Sequence, residues 1–256
     1  MKIATWNVNS LKVRLPHVLA WLSENPIDIL CLQELKQDQA SFPLEAIQAQ
    51  GYQAIWLGQK TYNGVAILVK EGHSITDVIE NLPSYPDEQK RVLTATIAGL
   101  RVICAYFVNG ESLESPKYAY KLTWLEHMET HVKTESLAHE KLVLLGDFNI
   151  APDDRDVPNP EDWLDKTLCS APERASFFRL IEMGLSDSFR LFHQDSKLYT
   201  WWDYRMMNFR RNNGLRIDHI LISAALKSSA VACEIDKAPR KWERPSDHTP
   251  VILTLK

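Results

Sequence analysis

The stretch Leu142–Ile150, LVLLGDFNI, decides the fold. Leu142–Leu145 is too apolar for a strand with one wet face, so it reads as buried on both faces. Gly146 then leads to a carboxylate and an amide, Asp147 and Asn149. Taken alone, that ending is an Asx turn. Working outward, the same grammar repeats. Further runs rich in Val, Ile, Leu and aromatics lie at Ile3–Val8, Ile27–Leu32, Tyr52–Leu57, Val65–Val69, Val92–Ile97 and Val102–Val108. Others follow at Leu198–Trp202, Ile217–Ile222, Val231–Ile235 and Val251–Leu255. All read as strands.

Helical patterns separate them. Leu15, Val18, Leu19 and Leu22 keep helical spacing, with Pro16 expected in the first turn. Ser115 can cap a helix that has Pro116 at its first position and a stripe of Tyr118, Leu122, Leu125, Met128 and Val132. Phe177, Phe178, Leu180 and Ile181 form a third pattern, stopped by Gly184. The weakest stretch is Ile150–Pro172, rich in proline and acids; Trp163 and Leu164 are expected to pin its middle. No linker or repeat interrupts the chain. The expectation is one domain over residues 1–256, with two sheets packed face to face and helices outside.

Composition narrows the class. The 256 residues are 45% hydrophobic and 24% charged, which excludes a collagen, a disordered tail or a small disulfide scaffold. With 29 basic and 33 acidic residues the net charge is -4, unlike a general nucleic-acid wrapper, yet an acidic metal site can coexist with a local basic face. Cys31, Cys104, Cys169 and Cys233 form no CxxC pair, so zinc-finger and thioredoxin readings fail and a reducing compartment is expected. The opening MKIATWNVNS lacks a signal-peptide core, and no run approaches the roughly 20 apolar residues of a membrane span. A cytoplasmic, membrane-free protein is expected.

Reactive groups gather at the ends of the apolar runs: Asn7 and Asn9, Glu34, Tyr106 and Asn109, Asp147 and Asn149, Asp218 and His219, Asp247 and His248. Each alone has a plain explanation; Glu34 could be a turn acid, and Asp247-His248 a cap. Asp218 is harder to dismiss, because a charge inside Ile217–Ile222 needs a partner, and a histidine is a natural one. Six such ends could converge on one rim. Carboxylates and amides without a thiolate suit Mg²⁺ or Mn²⁺ rather than Zn²⁺, which points to phosphoryl chemistry. A serine hydrolase fits poorly, since no GxSxG elbow is present.

In this order TWNVNS, LQELK, AYFVNG, LGDFNI, GLRIDHIL and PSDHTPV, the chain resembles the exodeoxyribonuclease III family of abasic-site endonucleases from Asn7 to His248. WNVNS or GDFN alone is shared across the wider endonuclease/exonuclease/phosphatase superfamily; WWDYR…NNGLRIDHIL is more specific to the DNA-repair branch. The resemblance implies a four-layer α/β sandwich of two mainly antiparallel mixed sheets, like that of DNase I. It implies a Mg²⁺-dependent monomeric enzyme that cuts duplex DNA 5′ of abasic sites, trims 3′ ends, or both.

By motif, the resemblance makes Glu34 the principal metal ligand, supported by Asn7, with Asp247 beside the metal. Asp147 orients or deprotonates the attacking water, and Asn149 holds that water or a phosphate oxygen; both count among the metal-site residues. Tyr106 approaches the scissile phosphate. His248, counted with the metal group as well, bonds a phosphate oxygen while Asp218 fixes its tautomer. Either Asp147 or His248 could be the general base.

DNA contacts are expected from Asn109 and from the acid-free stretch Tyr204–Ile217, which carries Arg205, Arg210, Arg211 and Arg216. Lys36, Lys60, Lys117, Lys121, Arg240, Lys241 and Arg244 could extend this patch. Trp201, Leu215 and Ile217 match family positions that wall the pocket for a flipped-out sugar; of Trp201 and Trp202, one is expected in the core. Arg205 falls where the family inserts a side chain into the groove. Two positions depart from the family: Phe107-Val108 follows Tyr106 where proline is common, and the bulky Leu168 stands in a loop near the sugar pocket, which it would narrow. The balance between abasic incision and 3′ exonuclease action stays open. Rival readings are a superfamily phosphatase or sphingomyelinase acting on another phosphate ester, and a catalytically silent DNA-binding protein.

Overall fold

A computed structural model describes residues 1–256. One sheet contains β1 (Lys2–Asn7), β2 (Ile29–Gln33), β3 (Tyr52–Leu57), β4 (Val65–Lys70), and β11 (Ala230–Ile235) and β12 (Val251–Leu255) from the far end of the chain, in the order β11-β12-β1-β2-β4-β3. The other contains β5 (Ile75–Glu80), β6 (Val92–Ile97), β7 (Leu100–Tyr106), β8 (Leu142–Asp147), β9 (Leu185–Asp187) and β10 (Asp218–Ser223), ordered β5-β6-β7-β8-β10-β9. Each sheet has one parallel pair, β1–β2 and β7–β8, and is otherwise antiparallel. The long helices α1 (Leu11–Glu24) and α3 (Pro116–Ala138), with the short α2 (Leu44–Gln48) between them in the chain, make the crossovers that parallel pairing demands.

Alternation along the strands explains the four layers. Ile29 and Cys31 of β2, with Val143 and Leu145 of β8, fill the core between the sheets. Their neighbours Leu30 and Leu32 face the α1 side, and Leu142 and Leu144 face α3 and α5 (Ala171–Glu182). Both faces of the central strands are therefore buried, as the unbroken apolar runs foretold.

Ten of the eleven apolar runs are strands. Leu198–Trp202 is not; only Trp201 bridges, to Leu215 and His248. The strand β5 lies outside the apolar runs because its ITDVIE is largely exposed. Ser115 caps α3 as expected, with Pro116 at its first position. Pro16 lies within α1 rather than in its first turn, because that helix starts earlier, at Leu11. Trp163 packs on the cluster of Val157, Leu168 and Cys169 that anchors the loop, as expected, whereas Leu164 is exposed and pins nothing.

Candidate active site

Strand register sets the first contacts. Tyr106 stands opposite Asp147 in the parallel β7–β8 pair, and Asp218 stands opposite Asp147 in the antiparallel β8–β10 pair. Gly146 is needed just before Asp147: a Cβ there would lie 1.8 Å from the Ala105 carbonyl oxygen. No side chain fits, so β8 delivers Asp147 at full strand-pairing closeness. Glu34 and Asn149 turn out of their strands with left-handed backbone (φ 55° and 49°), a conformation held only where surroundings enforce it.

Asn7 joins the two sheets at this rim. Its Nδ2 donates to Glu34 Oε1 (2.8 Å) and to Asp147 Oδ2 (2.9 Å). The Asn149 backbone N–H donates to Asp147 Oδ1 (2.9 Å), its Nδ2 to the Phe107 carbonyl (3.0 Å), and its Oδ1 accepts from Asn109 Nδ2 (2.8 Å). His248 Nδ1 lies 2.9 and 3.1 Å from the two Asp218 oxygens, and its Nε2 3.7 Å from Asp147 Oδ2. Single donor atoms of Glu34, Asp147 and His248 all lie within 4.8 Å of one another.

Burial dominates the electrostatics. It pushes the Asp147 carboxyl up to about 7; nearby His248 opposes the shift, while Asp218 and Glu34 add to it. Burial would lower His248, but Asp218 and then Asp147 outweigh it and raise the imidazole to about 10. As an imidazolium His248 donates hydrogen bonds from both nitrogens; as a neutral imidazole its Nε2 would complete a donor group with Glu34 and Asp147. Tyr106 is held well above the usual phenol range by burial, then by Glu34 and Asp147, and stays neutral.

The donor chemistry fits a hard divalent cation. Glu34 and Asp147 converge carboxylate oxygens whose mutual repulsion a cation would relieve, and Lys36 Nζ already sits 2.7 Å from Glu34 Oε2. Asp247 does not join this group: its two oxygens accept from Asn9 Nδ2 (2.8 Å) and Trp201 Nε1 (2.9 Å).

Several expected DNA contacts are placed elsewhere. Arg216 is buried and paired with Asp156 (2.6 Å) and Asp187 (2.8 Å), so it braces the core and meets no phosphate. Lys121 and Arg240 are buried as well, Lys121 against Glu173 and Arg240 beside the rings of Phe209, Tyr204 and Trp202. His219 turns away from the site, bonded to the Ile150 carbonyl, and burial with Arg216 nearby lowers it to about 4. Leu215 and Ile217 are buried in a small cluster with Leu168, Cys169, Val157 and Ala151, so they pack beneath Trp201 instead of lining an open wall. Trp202 is the core member of the tryptophan pair.

Arg210 and Arg211 are exposed on the short helix α6 (Asn208–Arg211), which follows the equally short α4 (Pro160–Trp163) and the longer α5 in the chain. Arg205 is exposed but paired with Asp203, just outside the acid-free stretch (2.5 Å). Lys117 is exposed beside Glu111 (3.2 Å) and lines a cleft of about 1000 Å³ next to Tyr106 and Asn109.

Two supports have roles that only the fold assigns. Asn9 holds Asp247 and takes Lys36 Nζ on its Oδ1 (2.6 Å); its spacing two residues after Asn7 was the available signal. Glu173 closes a capping box with Ser170, a signature readable as Ser-x-x-Glu.

With this geometry in place, comparison with known proteins is direct. The model of the Endonuclease/Exonuclease/phosphatase family matches residues 4–248. Exodeoxyribonuclease III of Haemophilus influenzae is 35% identical, with both chains covered completely. Among solved structures, a 3′ phosphatase from Neisseria, NExo, bound to a product DNA hairpin is 51% identical at a TM-score of 0.98, covering 100% of this chain and 99% of that one. An AP endonuclease from Archaeoglobus fulgidus is 37% identical at 0.95, with the same coverage. The chain belongs to the endonuclease/exonuclease/phosphatase family, in its exodeoxyribonuclease III-like branch.

Proposed function

We propose a Mg²⁺-dependent DNA-repair phosphodiesterase, with Mn²⁺ able to substitute, that works chiefly on 3′ ends and also removes their blocking phosphates as a phosphomonoesterase. The hydrolase class and the DNA-directed chemistry follow from family membership and the intact cluster of Glu34, Asp147 and His248. The single observation that carries the 3′-end preference is Leu168. Its side chain is buried against Leu215 and Ile217, with Trp201 packed on the same cluster, where an abasic sugar would have to enter. The Neisseria relatives at 51% identity, described as a 3′ phosphatase and a 3′-5′ exonuclease, agree with this reading.

Glu34 and Asp147, supported by Asn7, would hold the cation, which when bound neutralises charge developing on phosphate oxygen. Asp147, fixed by the Asn7 amide and the Asn149 N–H, is placed to orient the attacking water or to take its proton. His248, kept cationic by Asp218, donates from Nε2 to a phosphate oxygen. Tyr106 remains a neutral hydroxyl donor toward the same phosphate. Asn109 and Asn149 offer amides beside it, and the exposed Arg210, Arg211 and Lys117 suit the flanking backbone. No helix is long and apolar enough to cross a membrane. Four buried, unpaired thiols suit a cytoplasmic enzyme, and the reading treats it as a monomer.

Labelled duplexes carrying a 3′-phosphate, a recessed 3′-hydroxyl or an abasic analogue test this, each with EDTA or Mg²⁺. Mg²⁺ should restore activity, with 3′-phosphate removal fastest. Turnover undiminished in excess EDTA, or faster hydrolysis of an inositol phosphate, would overturn the assignment. A silent DNA binder would show no activity for Asp147→Ala to remove.

A further inference from the structure

The buried pair of Lys121 and Glu173 lies outside the reacting centre, yet its bonds tie a neighbouring loop to the backbone of Asn109 and Asn149. Both side chains are fully buried, Lys121 on α3 and Glu173 on α5. Lys121 Nζ has three hydrogens and three acceptors: Glu173 Oε1, the Asn149 carbonyl (2.7 Å) and the Asn109 carbonyl (3.2 Å). Glu173 Oε1 also accepts the Leu168 backbone N–H (2.9 Å), and Oε2 accepts the Ser170 N–H (3.0 Å) and hydroxyl. Thr167 Oγ1 closes the circuit by donating to the Asn109 carbonyl (3.1 Å). Gly110 leaves room for it, since a Cβ there would meet Lys121 Cδ at 3.1 Å and Thr167 Oγ1 at 3.2 Å.

Three segments therefore meet on one ion pair: the Asn109 turn, the left-handed Asn149 and the loop Thr167–Ser170 that places Leu168, itself left-handed at φ 74°. Well-packed apolar side chains could often replace a buried ion pair without loss of stability. Here they could not supply the directed bonds that both carbonyls and the loop N–H groups receive. We infer that Lys121 and Glu173 are positioning residues that lock the Leu168 loop to the Asn109–Asn149 amides, setting both turnover and the choice between 3′ ends and abasic sites. The selectivity half of this inference rests on the 3′-end reading above; the turnover half does not.

The test compares wild type with E173Q, which keeps an acceptor for the capping box, and with K121M and K121M/E173Q. Folding is checked by circular dichroism and thermal melting. Steady-state constants are measured on the 3′-phosphate and abasic duplexes with saturating Mg²⁺. The expected result for folded E173Q and K121M/E173Q is a fall in kcat on the 3′-phosphate of about tenfold or more. KM should change less than about twofold, and the ratio of abasic incision to 3′-phosphate removal should rise several-fold. An unchanged kcat, or a change confined to KM, would overturn the positioning role and leave the pair a general stabiliser; equal kcat losses on both substrates would overturn the selectivity half. Should K121M fail to fold, the double variant, with no buried net charge, carries the test. If wild type already incises abasic DNA faster, the 3′-end reading fails, while the kcat effect of E173Q still decides whether the pair positions the amides.

Discussion

His248 stands between two carboxylates, with Nδ1 2.9 Å from Asp218 Oδ2 and Nε2 3.7 Å from Asp147 Oδ2. The nearer contact fixes the ring, and the longer one leaves Nε2–H room to turn toward a phosphate oxygen. The folded-state pKa is raised to about 10, so the cation persists throughout the neutral range and is lost only as pH climbs through that value. Asp218→Asn removes the main charge sustaining it. The alkaline limb of the kcat profile should move down toward the ordinary histidine range, and activity at pH 8 should fall by about 10- to 30-fold. Rate profiles of the two proteins decide; an unmoved alkaline limb would show that His248 acts in another protonation state.

Asp147 sets the acid side. Its folded pKa is raised to about 7, so proton and cation compete for the same carboxylate. In metal-free protein the stability linked to this group is complete below the ordinary aspartate value and is lost as pH rises through about 7. Mg²⁺ takes the place of the proton. Added Mg²⁺ should therefore raise the melting temperature more at pH 8 than at pH 6, and its affinity should climb about tenfold per pH unit below 7 before levelling off. Calorimetric titrations across that range check the slope. A pH-independent affinity would remove Asp147 from the metal shell.

Leu168 can be released without touching the reacting groups. Its left-handed backbone favours glycine, and its burial favours a large apolar side chain. For Leu168→Gly the lost burial, about 2 to 3 kcal/mol, is offset in part by about 1 to 2 kcal/mol of relieved backbone cost. A folded variant with a small loss of stability is expected. Space then opens beside Trp201, and abasic incision should rise at least tenfold relative to 3′-phosphate removal. Paired assays on the two substrates read the ratio directly; no change would mean that the cluster of Leu168, Leu215 and Ile217 does not gate the sugar.

The legible parts of the sequence were those with local causes. Buried strands announce themselves as unbroken apolar runs, and the site residues follow directly on strand ends, so β8 and Asp147–Asn149 could be read together. The edge strand β5 carried no such signal, because ITDVIE buries no continuous face. Charge was the least legible feature. Arg216 and Lys121 look like surface cations in one dimension, and only the fold brings Asp156 and Asp187, or Glu173, to meet them. Asp247 likewise looked like a metal ligand until Asn9 and Trp201 were seen to occupy both its oxygens.

The arginines of the basic stretch should therefore separate into two behaviours. Arg216→Met breaks a buried network: Asp156 keeps Arg190 as its partner, but Asp187, which is held below the usual carboxylate range, against its burial, chiefly by Arg216, is stranded. A loss of about 3 to 5 kcal/mol in urea unfolding is expected. Where the variant stays folded, the salt dependence of DNA binding should be unchanged. Arg210→Ala and Arg211→Ala leave stability nearly untouched, since both side chains are exposed. Each phosphate contact they lose should flatten the slope of log affinity against log salt by about 0.9. Binding titrations from low to moderate salt, run beside urea melts, distinguish the groups. A shallower slope for Arg216→Met would return that residue to the DNA surface, and unchanged slopes for Arg210→Ala and Arg211→Ala would place the duplex on another face of the sandwich.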